Sequence, residues 1–161
     1  MGKTPSVLPR AAALGAVGGM RSMMPFALLS LAARRGEGDG ASLPQVLASP
    51  GVSALLLTLA ATELVLDKMP FVGSRLEPQP LFIRACVGAA SGALLAKAAA
   101  APAIQGAVAG TAGAMVGAFA GYHIRASLDH WTGLPDPIFG ALEDAAAVSL
   151  GSQAVGLRIA E

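Results

Sequence analysis

The fold class that this sequence predicts is all-α: a polytopic helical membrane bundle of about five transmembrane helices, the first of them kinked or broken near Arg21 and Pro25. Two observations lead to this prediction. Of the 161 residues, 54% are hydrophobic and 13% are charged, whereas soluble domains carry about 25% charged residues. The apolar residues also gather in stretches close to the length of about 20 residues that a helix needs to cross a bilayer. A single integral membrane domain is therefore expected over residues 1–161.

The first span is predicted over about residues 9–33. Pro25 lacks a backbone donor and disrupts a helix, and Arg21 interrupts the apolar run close to it. Lys3 and Arg10 precede the apolar stretch 11–20 as basic residues precede the core of a signal peptide. The interruption at Arg21 and the poor cleavage site that follows favour a retained span.

Four further spans are predicted, over about residues 51–68, 81–100, 102–127 and 138–157. Residues 34–40 are charged and rich in glycine, which predicts a loop between the first two spans. Three prolines in residues 69–80 oppose a regular helix there, and Pro102 suits the first turn of a helix. Residues 129–137 contain further glycine and proline and are expected to form the last loop.

Glycines recur four residues apart within the predicted spans. Small residues at this spacing allow helix backbones to approach closely in lipid. The set consists of Gly15, Gly19, Gly88, Gly92, Gly113, Gly117 and Gly121. They predict helix packing, either within the bundle or in a homo-oligomer, and the fourth span is expected at the bundle centre or on a self-association face.

The basic residues predict a cytoplasmic N-terminus. With that orientation, five spans place six basic residues on or near the inside and four outside, a small excess of the kind that orients membrane proteins. The inner set is Lys3, Arg10, Lys68, Arg75, Arg84 and Arg125, and the outer set is Arg34, Arg35, Lys97 and Arg158. Since the net charge is only +1 and the basic residues are scattered, nucleic acid is not an expected partner. The expected partners are membrane lipids.

Charged residues inside the apolar segments predict the position of a functional site, because charge at membrane depth is costly. At a rise of 1.5 Å per residue, Glu63 and Glu143 both lie roughly 7 to 8 Å below the same membrane face. The predicted ion or substrate pathway cluster comprises Arg21, Glu63, Asp67, Lys68, Arg84, Arg125, Glu143 and Asp144. Four bases and four acids fit two interpretations. One is a salt-bridge network that sets helix register, and the other is a polar cavity for an ion, a proton or a lipid headgroup.

Arg21 has two predicted roles within this cluster. It pairs with Glu63 or Glu143, or it forms an anion site together with backbone groups that the helix break leaves free, as in broken transporter helices.

No reaction is indicated by any motif. The sequence lacks a nucleophile elbow, a phosphate-binding glycine loop and a zinc-protease motif, so neither an enzyme nor a cofactor is expected. His123, Asp129 and His130 do not have the spacing of a metal site, and no metal is expected. Cys86 stands alone in an apolar run and is expected to be a buried packing residue.

Three motifs carry a family resemblance: Gly-Met-Arg-Ser-Met-Met-Pro at residues 19–25, Glu-Leu-Val-Leu-Asp-Lys-Met-Pro at 63–70, and Leu-Glu-Asp at 142–144. They resemble the bacterial membrane-protein family called domain of unknown function 4126, over nearly the whole chain. The recurring residues of that family are matched here by Arg21, Pro25, Glu63, Asp67, Lys68, Pro70, Arg84, Glu143 and Asp144. This chain departs from the family pattern in two places. It has Ala85 where the family often has proline, and its residues 71–80 are less acidic than the corresponding loop of the family usually is. The resemblance implies the fold, the site residues and a bacterial cytoplasmic (inner) membrane location, and it implies no activity.

Two functions are therefore expected as alternatives. The first is a small ion- or proton-coupled transporter or channel-like protein, in which the carboxylates of the cluster bind the cation or proton. The second is a non-transporting membrane scaffold or a protein that binds a lipid headgroup.

Overall fold

The computed structural model describes residues 6–66, 78–132 and 136–158, and the regular structure of these residues is entirely helical. The predicted all-α class is thus confirmed for the described part of the chain. Its α-helices are α1 (Val7–Met20), α2 (Met24–Arg35), α3 (Gln45–Ala48), α4 (Pro50–Leu66), α5 (Pro78–Ala98), α6 (Ala103–Thr132) and α7 (Asp136–Val155). A short 3-10 helix, Gly38–Ser42, follows α2.

The predicted break in the first apolar segment is present. Helix α1 ends one residue before Arg21, whose backbone is extended with φ −138° and ψ 108°. Helix α2 begins one residue before Pro25. The proline thus occupies the first turn of α2, where a helix needs no backbone donor.

The chain also reverses direction at this break, which the sequence did not predict. Arg10 lies near the start of α1 and Asp39 lies just beyond the end of α2, yet Arg10 Nη2 is 2.6 Å from Asp39 Oδ2. Helices α1 and α2 therefore form an antiparallel helical hairpin (the α1–α2 hairpin), and the span predicted over residues 9–33 is not one continuous crossing. Its arms of 14 and 12 residues are about 21 and 18 Å long at 1.5 Å per residue.

Helices α1, α5 and α6 make the closest backbone contacts of the fold, and glycine permits them. A Cβ atom added to any of these glycines would overlap the backbone of the facing helix. Gly15 and Gly88 face the carbonyl of Gly110, Gly92 faces Gly106, Gly19 faces Ala114, Gly113 faces Ala12, and Gly117 faces Ala16. These pairs run α6 parallel to α1 and antiparallel to α5. Gly121 lies further along α6 and is half-buried.

The inward hydroxyl groups of α2 and α4 join these two helices to α3. Ser30 Oγ donates to the carbonyl oxygen of Leu47 at 2.6 Å and lies 2.5 Å from Ser53 Oγ. Both serines are fully buried. A buried hydroxyl without a partner is destabilising, so these bonds let polar side chains occupy the interior.

Large apolar side chains are exposed on the outer helices and almost absent from the surface of the α1–α2 hairpin. Phe82 on α5 is 70% exposed and Ile104 on α6 is 79% exposed. Helices α4 and α7 add exposed leucines and valines, whereas Leu8 is the sole large apolar side chain exposed among the described residues of the hairpin. The hairpin is therefore enclosed by helices whose outer faces are apolar.

In the part of the chain that the structure describes, two helices have the length and apolar composition to cross a membrane: α5 and the Ala103–Ile124 part of α6. This agrees with a membrane protein, but it does not establish five spans. Helices α1 and α4 are apolar and shorter. Helix α7 carries Asp136, Glu143 and Asp144 in its first half, which lowers its mean hydropathy.

Several helix boundaries differ from those expected. Helix α5 begins at Pro78 instead of residue 81, because Pro78 and Pro80 both fall in its first turn, where prolines are tolerated. Helix α6 continues to Thr132, through part of the expected loop, since the next proline after Pro102 is Pro135. The loop expected over residues 34–40 overlaps the start of the 3-10 helix, and α3 follows before α4 begins.

The glycine contacts predict that Gly110→Ala lowers the free energy of unfolding by about 1–3 kcal/mol, the usual cost of overpacking. The new methyl group would meet the backbone of Gly88. Gly51→Ala is the control, because a Cβ atom there meets nothing within 4 Å. Unfolding of the purified protein in detergent, titrated with SDS, measures both. Equal stability of the two variants would contradict this packing.

Candidate functional site

Charged side chains from four parts of the fold surround the break between α1 and α2. Arg21 lies in the break, Glu63 comes from the last turns of α4, Arg84 from the first half of α5, and Glu143 with Asp144 from α7. We call these five residues the break cluster. The structure thus brings together five of the eight charged residues that the sequence predicted.

Glu63 binds the backbone at the start of α2. Its Oε1 accepts a hydrogen bond from the Ser22 amide at 2.6 Å, and its Oε2 accepts one from the Met23 amide at 2.8 Å. Amides in a break between helices lack helical partners and need others when buried. A carboxylate is well suited to this position because the N-terminus of a helix carries partial positive charge. Glu63 thus caps α2 from another helix, and α2 has no side-chain cap of its own.

Arg84 binds the other side of the break. Its Nη1 donates a hydrogen bond to the carbonyl oxygen of Gly19, in the last turn of α1. The last carbonyl groups of a helix have no helical partner and carry partial negative charge. Arg84 is 8% exposed, so this contact lies inside the bundle. Each helix end at the break therefore meets a side chain of opposite charge.

Arg21 binds α7. Its side chain is 1% exposed, and both Nε and Nη2 lie 2.6 Å from Asp144 Oδ1. Glu143 Oε2 is farther away, 3.8 Å from Nη2. Asp144 is therefore the closer of these two carboxylates. Of the two expected partners, Glu143 does pair with Arg21, at the longer distance, whereas Glu63 binds the backbone of the break. The backbone groups expected to form an anion site with Arg21 bind Glu63 instead.

Some predicted site residues lie outside the described part of the chain. Asp67 and Lys68 are outside the described residues altogether. Arg125 falls within α6, but its side chain is outside the description. Among the described residues, no group of three His, Cys, Asp or Glu side chains is placed to hold a metal ion. Cys86 was expected to be buried and is exposed on α5, because it lies on the outer face of that helix.

A second group of polar contacts holds the other end of the α1–α2 hairpin. Besides its pair with Asp39, Arg10 donates from Nε to the carbonyl oxygen of Ala154 at 2.8 Å. Glu37 Oε2 accepts a hydrogen bond from the Arg158 amide at 2.9 Å. Sequence reasoning missed this group because a continuous first span would separate Arg10 from Asp39 by the thickness of a membrane. Both arms of the hairpin are thereby tied to the end of α7.

The geometry at Arg21 predicts that Asp144→Asn destabilises the protein more than Glu143→Gln. Asp144→Asn removes a charge 2.6 Å from a buried guanidinium, and breaking such a pair costs about 3 kcal/mol. Glu143→Gln is the matched control: its carboxylate is 3.8 Å from Nη2, and a more distant charge interacts more weakly, so a smaller loss is expected. SDS titration of both variants gives the two free energies of unfolding. An equal or larger loss for Glu143→Gln would refute the assignment of Asp144 as the main partner.

Comparison with known proteins identifies the family of this chain. The model of the family described as Domain of unknown function (DUF4126) matches residues 8–157. No curated protein and no solved structure matches the chain significantly. The matched region contains all five residues of the break cluster and both arms of the α1–α2 hairpin. Because the match covers nearly the whole chain, the protein belongs to the DUF4126 family.

Proposed function

We propose that this protein is a small integral membrane transporter or channel-like protein that moves an ion or a proton-coupled solute through the break cluster. The observation that carries the proposal is the break between α1 and α2, which lies inside the bundle. A charged side chain binds each of the two helix ends there. At membrane depth, non-helical backbone is tolerated only where it is buried in protein or lines a cavity. Transporters use such broken helices to bind ions and solutes.

The proposed membrane arrangement has four crossings and one re-entrant hairpin, in a bacterial cytoplasmic membrane. Helices α4 to α7 cross, and the α1–α2 hairpin enters and leaves at the same end of the bundle. Helix α4, with 17 residues, is about 25 Å long, and α7, with 20 residues, is about 30 Å long. The exposed apolar side chains of these four helices would face lipid. A homo-oligomer remains a prediction, because the glycine contacts described above are all used within one chain.

Glu63 is the residue proposed to bind the transported proton or cation. It is half-buried, and its two partners at the break are neutral backbone amides. An ionised carboxylate accepts hydrogen bonds at both oxygens, whereas a protonated one must use one oxygen as a donor. Protonation would therefore weaken one of the two bonds to the start of α2. Binding of a proton at Glu63 is in this way coupled to the position of the α1–α2 hairpin.

Arg21 and Arg84 have a positioning role in this proposal. Arg21 holds the break against α7 through Asp144, and Arg84 holds the end of α1 against α5. Both guanidinium groups keep their charge at any physiological pH. They would fix one side of the break while Glu63 exchanges its proton.

A second candidate function is a non-transporting scaffold. It is favoured by the mutual satisfaction of the break cluster, in which oppositely charged groups and helix ends bind one another. Setting the register of the helices is a sufficient role for a network of that kind, without any transport.

Flux through reconstituted proteoliposomes distinguishes the two candidates. Wild type is expected to move protons or small ions above the level of empty liposomes, and Glu63→Gln is expected to fall to that level, because its neutral amide cannot take up a proton. Glu37→Gln is the matched control: its carboxylate also accepts a backbone amide hydrogen, but at the far end of the hairpin. It is expected to keep wild-type flux. The three proteins are compared at equal incorporation, after folding has been checked by circular dichroism.

Two results would contradict the proposal. One is equal flux through wild type and Glu63→Gln above the level of empty liposomes, which would refute the pathway through Glu63 but not transport. The other is no flux through wild type across a panel of cations, anions and pH gradients, which would leave the scaffold as the function of the break cluster.

A further inference from the structure

Reversal of the chain at the break gathers basic residues at one end of the bundle. Arg10 begins α1, Arg34 and Arg35 end α2, and Arg158 follows α7. The pair between Arg10 and Asp39 holds the two arms of the α1–α2 hairpin together at this end. Because Arg10 also bonds to Ala154, the end of α7 lies there too.

Lys97 joins the same end. Helix α5 runs antiparallel to α1, since its residue Arg84 reaches Gly19 near the end of α1. Lys97 comes 13 residues later, about 20 Å further along the axis, in the last turn of α5. The 3-10 helix that carries Asp39 packs against α5. We call the set Arg10, Arg34, Arg35, Lys97 and Arg158 the basic end.

The charge at the two ends of the bundle is unequal. Among the described residues, the acidic side chains at the basic end are Glu37 and Asp39, so five basic residues meet two acidic ones. Helix α4 ends and α5 begins at the opposite end. In sequence, the residues between them, 67–77, include two basic and two acidic residues. Arg21 and Arg84 are buried in the break cluster and are not available to the membrane surface.

We infer that the basic end faces the cytoplasm and that Arg34, Arg35 and Lys97 contact anionic phospholipid headgroups there. All three side chains are exposed. An excess of Lys and Arg near the ends of membrane helices marks the cytoplasmic side, and the anionic lipids of that leaflet attract basic side chains. The inference rests on the proposed membrane insertion and is independent of transport. It places residues 36–49 and residue 158 in the cytoplasm, whereas five crossings with a cytoplasmic N-terminus place them outside.

Cysteine labelling tests the orientation. In a Cys86→Ser background, Ser42→Cys reports on the basic end and Gln79→Cys on the opposite end, because both positions are exposed. A membrane-impermeant maleimide is expected to label Gln79→Cys in intact spheroplasts and Ser42→Cys only in inverted vesicles. The reverse pattern, or equal labelling of each position in both preparations, would overturn the orientation.

Lipid retention tests the contact with headgroups. The full-length protein in neutral detergent is titrated with phosphatidylglycerol and, separately, with phosphatidylcholine, and bound lipid is counted by native mass spectrometry. Wild type is expected to prefer phosphatidylglycerol. A triple variant with Arg34→Gln, Arg35→Gln and Lys97→Gln is expected to have an affinity for phosphatidylglycerol that is lower by a factor of roughly ten or more at low salt. The control is Gln105→Ala with Gln153→Ala, which changes two exposed neutral residues and should keep the preference.

Each outcome of these two experiments has a separate meaning. Unchanged phosphatidylglycerol binding by the triple variant would refute the lipid contact. Neither experiment depends on flux. Absence of flux together with the expected maleimide labelling and phosphatidylglycerol binding would therefore refute the transport proposal alone. Recovery of the protein in the soluble fraction would refute membrane insertion itself.

Discussion

The structure depends on one constraint: two helix ends are buried side by side inside a bundle. A helix that stops in the interior leaves backbone donors and acceptors without partners, and such groups cost free energy unless they are satisfied. Here the two ends have opposite partial charges, and each meets a side chain of the opposite sign. Glu63 binds the amides before α2, and Arg84 binds a carbonyl of α1. The positions of α4 and α5 follow from this requirement.

Close packing is the second condition for this arrangement. Arg84 reaches the end of α1 only because α1, α5 and α6 approach backbone to backbone at glycine and alanine. Larger residues at these contacts would push the helices apart and leave the break without its capping side chains. The glycines thus act on the break cluster although they carry no chemistry of their own. Packing and polar satisfaction support each other in this fold.

Sequence reasoning could predict part of this structure. Pro25, four residues after a charged residue, predicts the break, and equal depth along their helices brings Glu63 and Glu143 to one region. The direction of the chain after the break could not be predicted, because proline interrupts a helix without specifying where the next one points. Glu63 as a cap could not be predicted either, since it lies about 40 residues from the amides that it binds and forms no local capping pattern. The outward position of Cys86 depends on which face of α5 is buried, and its almost uniformly apolar sequence does not reveal that face.

The α1–α2 hairpin also has a consequence for the order in which the protein matures. Its arms are made before α4, α5 and α7, and among the described residues the side chains that bind at the break come from those later helices. In the proposed membrane arrangement, the turn at Arg21 lacks these side chains until those helices are present, and neither arm is long enough to cross alone. The hairpin is therefore expected to reach its final place only after helices that are synthesised later, and nascent chains that end before α7 should hold it at the membrane surface.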